Sequence, residues 1–324
     1  MHIVINGWFV GQSTTGSGQY IHHLLDHLPR QAPTARLSLL LPVRQSNDRI
    51  GWRARWPTVE IIEQPLIALP QNLAKLWWEQ VTMPRLARQL AADVLWVPYW
   101  AAPFWQPMPV AVTIHDLIPQ LLPAYRGGRM QQLYTTLVSG TAQRAAAVLT
   151  VSHASARDIV EQLRVPGERV YVVYHGPNQE ATTHSNAPML AAIRQKYALP
   201  ARFFLYLGGF DVRKNVKSTL YAYQRYLERA GDPAVKLVIA GKLPATDTSF
   251  FPDPRKIAAE VGLLEQVHFC GWIADEDKPA LYALSTAYIF PSLYEGFGMM
   301  LLEAMNAGTP VVTSAESGMQ SAES

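Results

Sequence analysis

The densest group of chemistry-bearing residues lies in FPSLYEGFGMMLLEAMNAGTPVVT, residues 290–313. Phe290-Pro291-Ser292 reads as a strand end, Glu295-Gly296-Phe297-Gly298 as a glycine-bracketed turn, and 299–306 as a helix. Helical rise then places Glu303 about 7 Å along the axis from Gly298. One carboxylate can accept hydrogen bonds from a ribose diol while the other meets sugar hydroxyls. Between them, free helix N–H groups can face a phosphate.

Two further clusters suit anions. Gly208-Gly209 precedes Arg213-Lys214-Asn215 at another strand end. Arg supplies a bidentate fork there and Lys a mobile point charge, a pair able to clamp a diphosphate. The plain alternative is a solvated surface pair. Gly16-Ser17-Gly18-Gln19-Tyr20 follows the first strand and opens a helix, where glycines admit a ligand to the helix N-terminus. A simple tight turn is the other reading. A dinucleotide fingerprint fits poorly, because Ile21 stands where a third glycine belongs and nine residues separate the strand end from Gly16. Asp275-Glu276-Asp277 has the D-x-D spacing of some metal-binding transferases, but three acids also suit the start of a helix.

These residues must be positioned by an alternating set of elements. Apolar, β-branched runs at 2–6, 36–42, 58–63, 93–98, 110–114, 147–151 and 169–174 are separated in several places by helical patterns at 18–28, 72–90, 129–144 and 154–162. The strands are nearly continuous hydrophobics, as in a parallel sheet covered on both faces. After Tyr174 the segment HGPNQEATTHSNAP is polar and aperiodic, which suits a domain boundary. A second series follows, with strands at 203–207, 236–240, 267–270, 287–291 and 310–313. Two α/β domains, 1–180 and 190–324, with a ligand cleft between them are expected. The stretch LAKLWWEQVTMPRLARQL, 73–90, reads either as a buried helix interrupted near Pro84 or as a membrane-interface helix.

Composition narrows the function classes. The 324 residues are 49% hydrophobic and 16% charged, with a formal net charge of +3. That is ample material for two cores and no signature of disorder. No basic tract points to nucleic acid. The lone Cys270 excludes an internal disulfide and fits a reducing compartment. No signal peptide is visible ahead of Ile3-Val4-Ile5, and no apolar run reaches the roughly eighteen residues of a membrane span. A cytoplasmic protein, with at most peripheral contact at the inner face of a membrane, is expected.

The string EGFG-x4-EAM-x2-G-x-PVV resembles the E-x7-E signature of glycosyltransferase family 4, retaining enzymes with the GT-B fold of two Rossmann-like doubly wound domains. The resemblance spans nearly the whole chain, with TGSGQY, VTIHDLIP, VLTVSHASARDI, GGFDVRKN and LVIAGK all similar to family segments. LWWEQ together with VTIHDL is similar to a mannosyltransferase branch of bacterial polysaccharide assembly.

The resemblance implies a nucleoside-diphosphate sugar donor, GDP-mannose among the candidates, and a glycan or lipid-linked acceptor. Arg213 and Lys214 would bind the diphosphate and offset charge on the leaving group. Glu303 would bind the ribose and Glu295 the donor sugar, with the backbone of Gly296, Phe297, Gly298 and Met299 lining sugar and phosphate. Gly16 and Gly18 would admit the phosphates, Gly209 would belong to the donor-binding turn, Ile273 and Lys278 would meet the base, and His115 would stand at the reacting centre. Read without the resemblance, His115 is more often a satisfied strand-end histidine. No metal or other cofactor is expected. Residues 1–180 would form the acceptor side and 190–324 the donor side. A nucleotide-sugar epimerase or hydrolase on the same fold, or an inactive nucleotide-binding fragment, are the competing readings.

Two departures accompany the match. Met299-Met300 stands where the family has Leu-Pro, a change the first helical turn tolerates. The polar ending SAESGMQSAES also suggests a chain lacking the family's last elements.

Overall fold

The computed structural model describes residues 1–13, 15–43, 49–176, 186–229 and 231–314. Most of the polar stretch after Tyr174, and the tail beyond Ser314, lie outside these. The chain divides into two compact units, Met1–Val173 and Tyr174–Ser324.

The first unit alternates as its hydrophobic runs suggest. In order come β1 (His2–Asn6), α1 (Gly16–Gln31), β2 (Arg36–Val43), α2 (Arg49–Arg55), β3 (Glu60–Pro65), α3 (Gln71–Trp77), α4 (Met83–Gln89) and β4 (Val94–Val97). Then follow β5 (Val110–Thr113), α5 (Ile118–Leu121), α6 (Arg129–Ala142), β6 (Ala147–Thr150), α7 (His153–Leu163) and β7 (Val170–Val172). Every pairing is parallel and the order is β3-β2-β1-β4-β5-β6-β7. Successive side chains point to opposite faces. Thus Ile3, Ile5, Leu37, Leu39 and Leu41 pack in one apolar cluster, while Val4, Leu40 and Leu95 pack in another. The winding reverses between β1 and β4, which opens a crevice at their C-terminal ends.

The helical stretch around Pro84 is continuous but irregular. A π-turn, Trp78–Thr82, joins α3 to α4, and Met83 N–H bonds to the Trp78 carbonyl. Pro84 has no N–H for the Gln80 carbonyl, and its ring crowds that carbonyl, so the ladder slips by one residue. The slip turns both Trp78 and Glu79 inward, where they are fully buried. Glu79 accepts from Lys75 at 2.6 Å and from the hydroxyls of Tyr99 and Tyr134, each at 2.9 Å. Asn6 donates to Tyr99 at 2.8 Å and accepts from Trp78 Nε1 at 2.9 Å. Burial pushes the Glu79 carboxyl up, against the opposing pull of Lys75.

The second unit contains α8 (Ala187–Lys196), β8 (Arg202–Leu207), α9 (Val216–Glu228), β9 (Val235–Ala240), α10 (Pro254–Glu260) and β10 (Val267–Gly271). It ends with α11 (Lys278–Leu284), β11 (Ala287–Phe290), α12 (Met299–Asn306) and β12 (Val311–Thr313). Its five parallel strands run β10-β9-β8-β11-β12, again with the two faces covered by separate clusters. The winding reverses between β8 and β11. Cys270 is half-buried with its thiol pushed up to about 12 by desolvation, a group inert at neutral pH. Both units are doubly wound α/β sheets, as the strand patterning implies.

Candidate functional site

The two best-marked motifs leave neighbouring strands. Ala287 and Tyr288 of β11 pair with Phe204 and Leu205 of β8. The segments that follow, GGFDVRKN and PSLYEGFG, therefore emerge side by side at the reversal point, where open α/β sheets bind ligands.

Backbone and side chains then stitch the two segments together. Leu293 N–H donates to the Arg213 carbonyl at 2.8 Å, Arg213 donates to the Tyr294 carbonyl at 3.1 Å, and Asn215 donates to the Pro291 carbonyl at 3.1 Å. Asn215 occupies the left-handed region at φ 52°, where it ends the short turn Val212–Lys214 and starts α9. Asn tolerates that conformation better than most residues. Glu295 closes the junction. Its two oxygens lie 2.5 Å from Arg213 and 2.7 Å from Lys214. The three side chains are only 13%, 15% and 10% exposed for Arg213, Lys214 and Glu295, so little water screens them. Asp211 stands 3.6 Å from Arg213 as a second, looser carboxylate.

The glycine turn sets the direction of α12. Gly298 has φ 88°, a left-handed value that suits glycine, and α12 starts at the next residue. In the first turn of that helix Leu301 N–H donates to the Gly298 carbonyl at 2.9 Å, and the helix presents its N-terminal end beside Glu295. Glu303 is half-buried and accepts from the Tyr282 hydroxyl of α11 at 3.2 Å. Phe297 packs edge-on against His175 at 5.2 Å and lies 6.1 Å from the Tyr174 ring.

Around this core the strand ends are built from glycine. A Cβ on Gly241 would lie 2.2 Å from the Gly208 carbonyl oxygen, and Gly241 has φ 140°. Its N–H reaches the Gly271 carbonyl at 2.7 Å. Tyr206 donates to the Gly209 carbonyl at 2.7 Å, fixing the turn ahead of Arg213. Ile273 is buried by its side chain, in a loop held by Lys196 and Tyr197, which both bond Asp277 at 2.6 Å. Lys278 pairs with Asp275 at 2.5 Å. Asp275–Asp277 form a short helical turn leading into α11, so this acid triplet does open a helix.

The structure thus brings Gly209, Arg213, Lys214, Glu295 and the start of α12 together through the β8–β11 junction. Gly16, Gly18 and His115 belong to the first unit. There, Thr15 caps α1 by accepting from Gly18 N–H at 3.1 Å, and its hydroxyl donates to the Gln12 carbonyl at 2.8 Å. A Cβ on Gly18 would lie 1.9 Å from the Gln12 carbonyl oxygen, whereas one on Gly16 would meet nothing within 4 Å. The fold itself therefore demands glycine at 18, and only Gly16 leaves open space at the helix start. His115 follows β5, with its ring edge-to-face against Tyr20 at 4.8 Å.

Sequence reasoning passed over Tyr206, Asp211, Tyr282 and Gly241. The tyrosines look like core aromatics in their elements. Gly241 could have been found, since a glycine directly after an apolar strand often marks close backbone approach.

Comparison with known proteins agrees with this architecture. Residues 14–180 match the family model described as Glycosyltransferase Family 4, and residues 191–323 match that of glycosyl transferases group 1. The serotype-specific mannosyltransferase WbdA of Escherichia coli is 30% identical over 212 residues, covering 64% of this chain and 25% of that protein. The O-antigen chain mannosyltransferase B of Escherichia coli is 30% identical over 204 residues, covering 62% of this chain and 52% of that protein. The matches thus span about a quarter and about half of these relatives' lengths. Among solved structures, HepE of Anabaena with UDP and glucose has a TM-score of 0.66 at 17% identity, covering 99% of this chain and 82% of that one. That likeness concerns the fold. With one family model covering more than half of the chain, the protein belongs to glycosyltransferase family 4 and has its two-domain GT-B architecture.

Proposed function

We propose that this chain transfers a hexose from a nucleoside-diphosphate sugar to a glycan or lipid-linked acceptor in polysaccharide assembly, with the anomeric configuration retained. The junction of Arg213, Lys214 and Glu295 at the start of α12 is the observation that carries this reading. Two cations beside the N-terminus of α12 suit a diphosphate, and a carboxylate among them suits sugar hydroxyls.

In this reading the sugar–phosphate bond breaks as its electron pair leaves with the diphosphate, whose growing charge Arg213, Lys214 and the N–H groups of α12 offset. The acceptor hydroxyl attacks the same face of the sugar and its proton passes to the departing phosphate oxygen. Glu303 holds the ribose and the backbone at Ile273 meets the base. His115, in the first unit, is the residue that the family resemblance assigns to the reacting centre. These steps call on no metal ion, and Asp275 and Asp277 already engage Lys278, Lys196 and Tyr197.

The names of the two Escherichia coli relatives favour mannose, and hence GDP-mannose, as the donor. Among the described residues no helix is long and apolar enough to cross a membrane. Peripheral contact is supported by exposed apolar side chains on α3 (Leu73 45%, Trp77 44%) and α6 (Met130 70%, Leu133 64%), with Arg126 and Arg129 close by in sequence. Incubation with GDP-mannose, UDP-glucose and a mannoside acceptor, followed by product analysis, tests the reading. Sugar isomerisation or hydrolysis that needs no acceptor would overturn it in favour of an epimerase or hydrolase. Binding of GDP or UDP without any turnover would leave only a nucleotide-binding protein.

A further inference from the structure

His115 does not stand alone at the end of β5. Thr113 ends β5 and His115 follows it by two residues. Trp96 of the adjacent β4 donates its indole N–H to the Thr113 hydroxyl at 3.1 Å. Tyr20, from the first turns of α1, reaches the same hydroxyl at 3.4 Å and sets its ring against the His115 ring at 4.8 Å and 84°. One tyrosine thus touches both residues of the strand end. Thr113 is buried.

The start of α1 is itself held firmly. Thr15 caps it through Gly18 N–H, and Gly18 packs so closely on the Gln12 carbonyl that no side chain fits. Two residues further on, the helix delivers Tyr20. We propose that Tyr20 is a positioning residue for His115, and that the TGSGQY segment serves to aim this ring as well as to open a helix start. An edge-to-face contact restricts the imidazole to one orientation, while the hydroxyl on Thr113 stops the phenol from swinging away. The proposal rests on the reading of His115 as a residue at the reacting centre.

The test compares Tyr20→Leu, Tyr20→Phe, Thr113→Val and His115→Gln in the full chain. Loss of the aromatic contact is expected to lower kcat with GDP-mannose about five-fold, with the donor KM unchanged. Tyr20→Phe should restore most of that rate, because it keeps the ring. In histidine NMR spectra, assigned by the signal lost in His115→Gln, the His115 ring protons should shift in Tyr20→Leu as the phenol's ring current disappears. Thr113→Val should move the same signal by less, and it serves if Tyr20→Leu folds poorly. An unchanged His115 signal in Tyr20→Leu and Thr113→Val, or a change in KM alone, would overturn the proposal. Full transfer by His115→Gln would instead overturn the reading of His115, even if the NMR arm showed Tyr20 holding the ring.

Discussion

Glu295→Gln separates electrostatic neutralisation from sugar recognition at the donor junction. In the wild-type protein Arg213 and Lys214 share one carboxylate, with Asp211 as a second, looser one. The formal charge of the cluster is therefore near zero. Glutamine keeps one acceptor oxygen but turns an amide N–H group toward one of the cations, which loses its charged partner. For side chains at 10–15% exposure that loss should cost about 2 kcal/mol, less than the 3–5 kcal/mol of a wholly buried pair. The melting temperature of the second unit should fall by roughly 5 °C. Binding of a bare nucleoside diphosphate should move the opposite way. The variant offers the diphosphate an extra unit of positive charge and only the looser Asp211 as a competing carboxylate, so its Kd should fall about five-fold, equivalent to about 1 kcal/mol. Transfer from the sugar nucleotide should nevertheless drop, because the sugar loses its charged acceptor. Thermal unfolding with and without GDP or UDP, calorimetric titration and the transfer assay together check this. A variant that melts with the wild type and binds both nucleotides more weakly would refute the electrostatic account.

Two further perturbations probe the elements that carry the site. Gly18→Ala must push the Gln12 carbonyl aside and disturb the Thr15 cap, costing roughly 2–4 kcal/mol in urea unfolding followed by tryptophan fluorescence, while Gly16→Ala should stay within about 0.5 kcal/mol of wild type. The Asp277 carboxyl is held low, first by Lys196 and then by the Tyr197 hydroxyl. Its folded pKa lies below the unfolded one, so its contribution is present above about pH 4 and is lost as pH falls through the folded value. Asp277→Asn should flatten the acid limb of the second unit's stability profile, and an unchanged limb in acid titrations followed by circular dichroism would count against the assignment.

The strands were legible because a parallel sheet covered on both faces uses near-continuous apolar runs, and β8, β9, β11 and β12 each lie within a residue of where such runs fall. Boundaries slipped where a polar residue carries the hydrogen bonding onward. Gln64 and Pro65 extend β3 because they pair with Pro42 and Val43 of β2, a matter of the neighbouring strand rather than of the run itself. The slip at Pro84 was visible as an interruption, but its π geometry was not. That geometry depends on the buried partners waiting for Trp78 and Glu79.

Taken alone, the amino-acid sequence determined the α/β class, the two series of strands, the family resemblance and the identity of the charged and glycine-rich motifs. Those properties are local, written in the period of apolar residues and in short strings. Only the tertiary structure decided which motifs meet. The pairing of β8 with β11 puts Arg213 and Lys214, eighty-odd positions away in the chain, onto Glu295 at 2.5 and 2.7 Å. It likewise decided that Gly18 answers to the Gln12 carbonyl and that Tyr20 braces His115. The physical reason is that strand order and loop packing are set by which apolar faces bury one another, and no window along the chain contains both partners of such a contact.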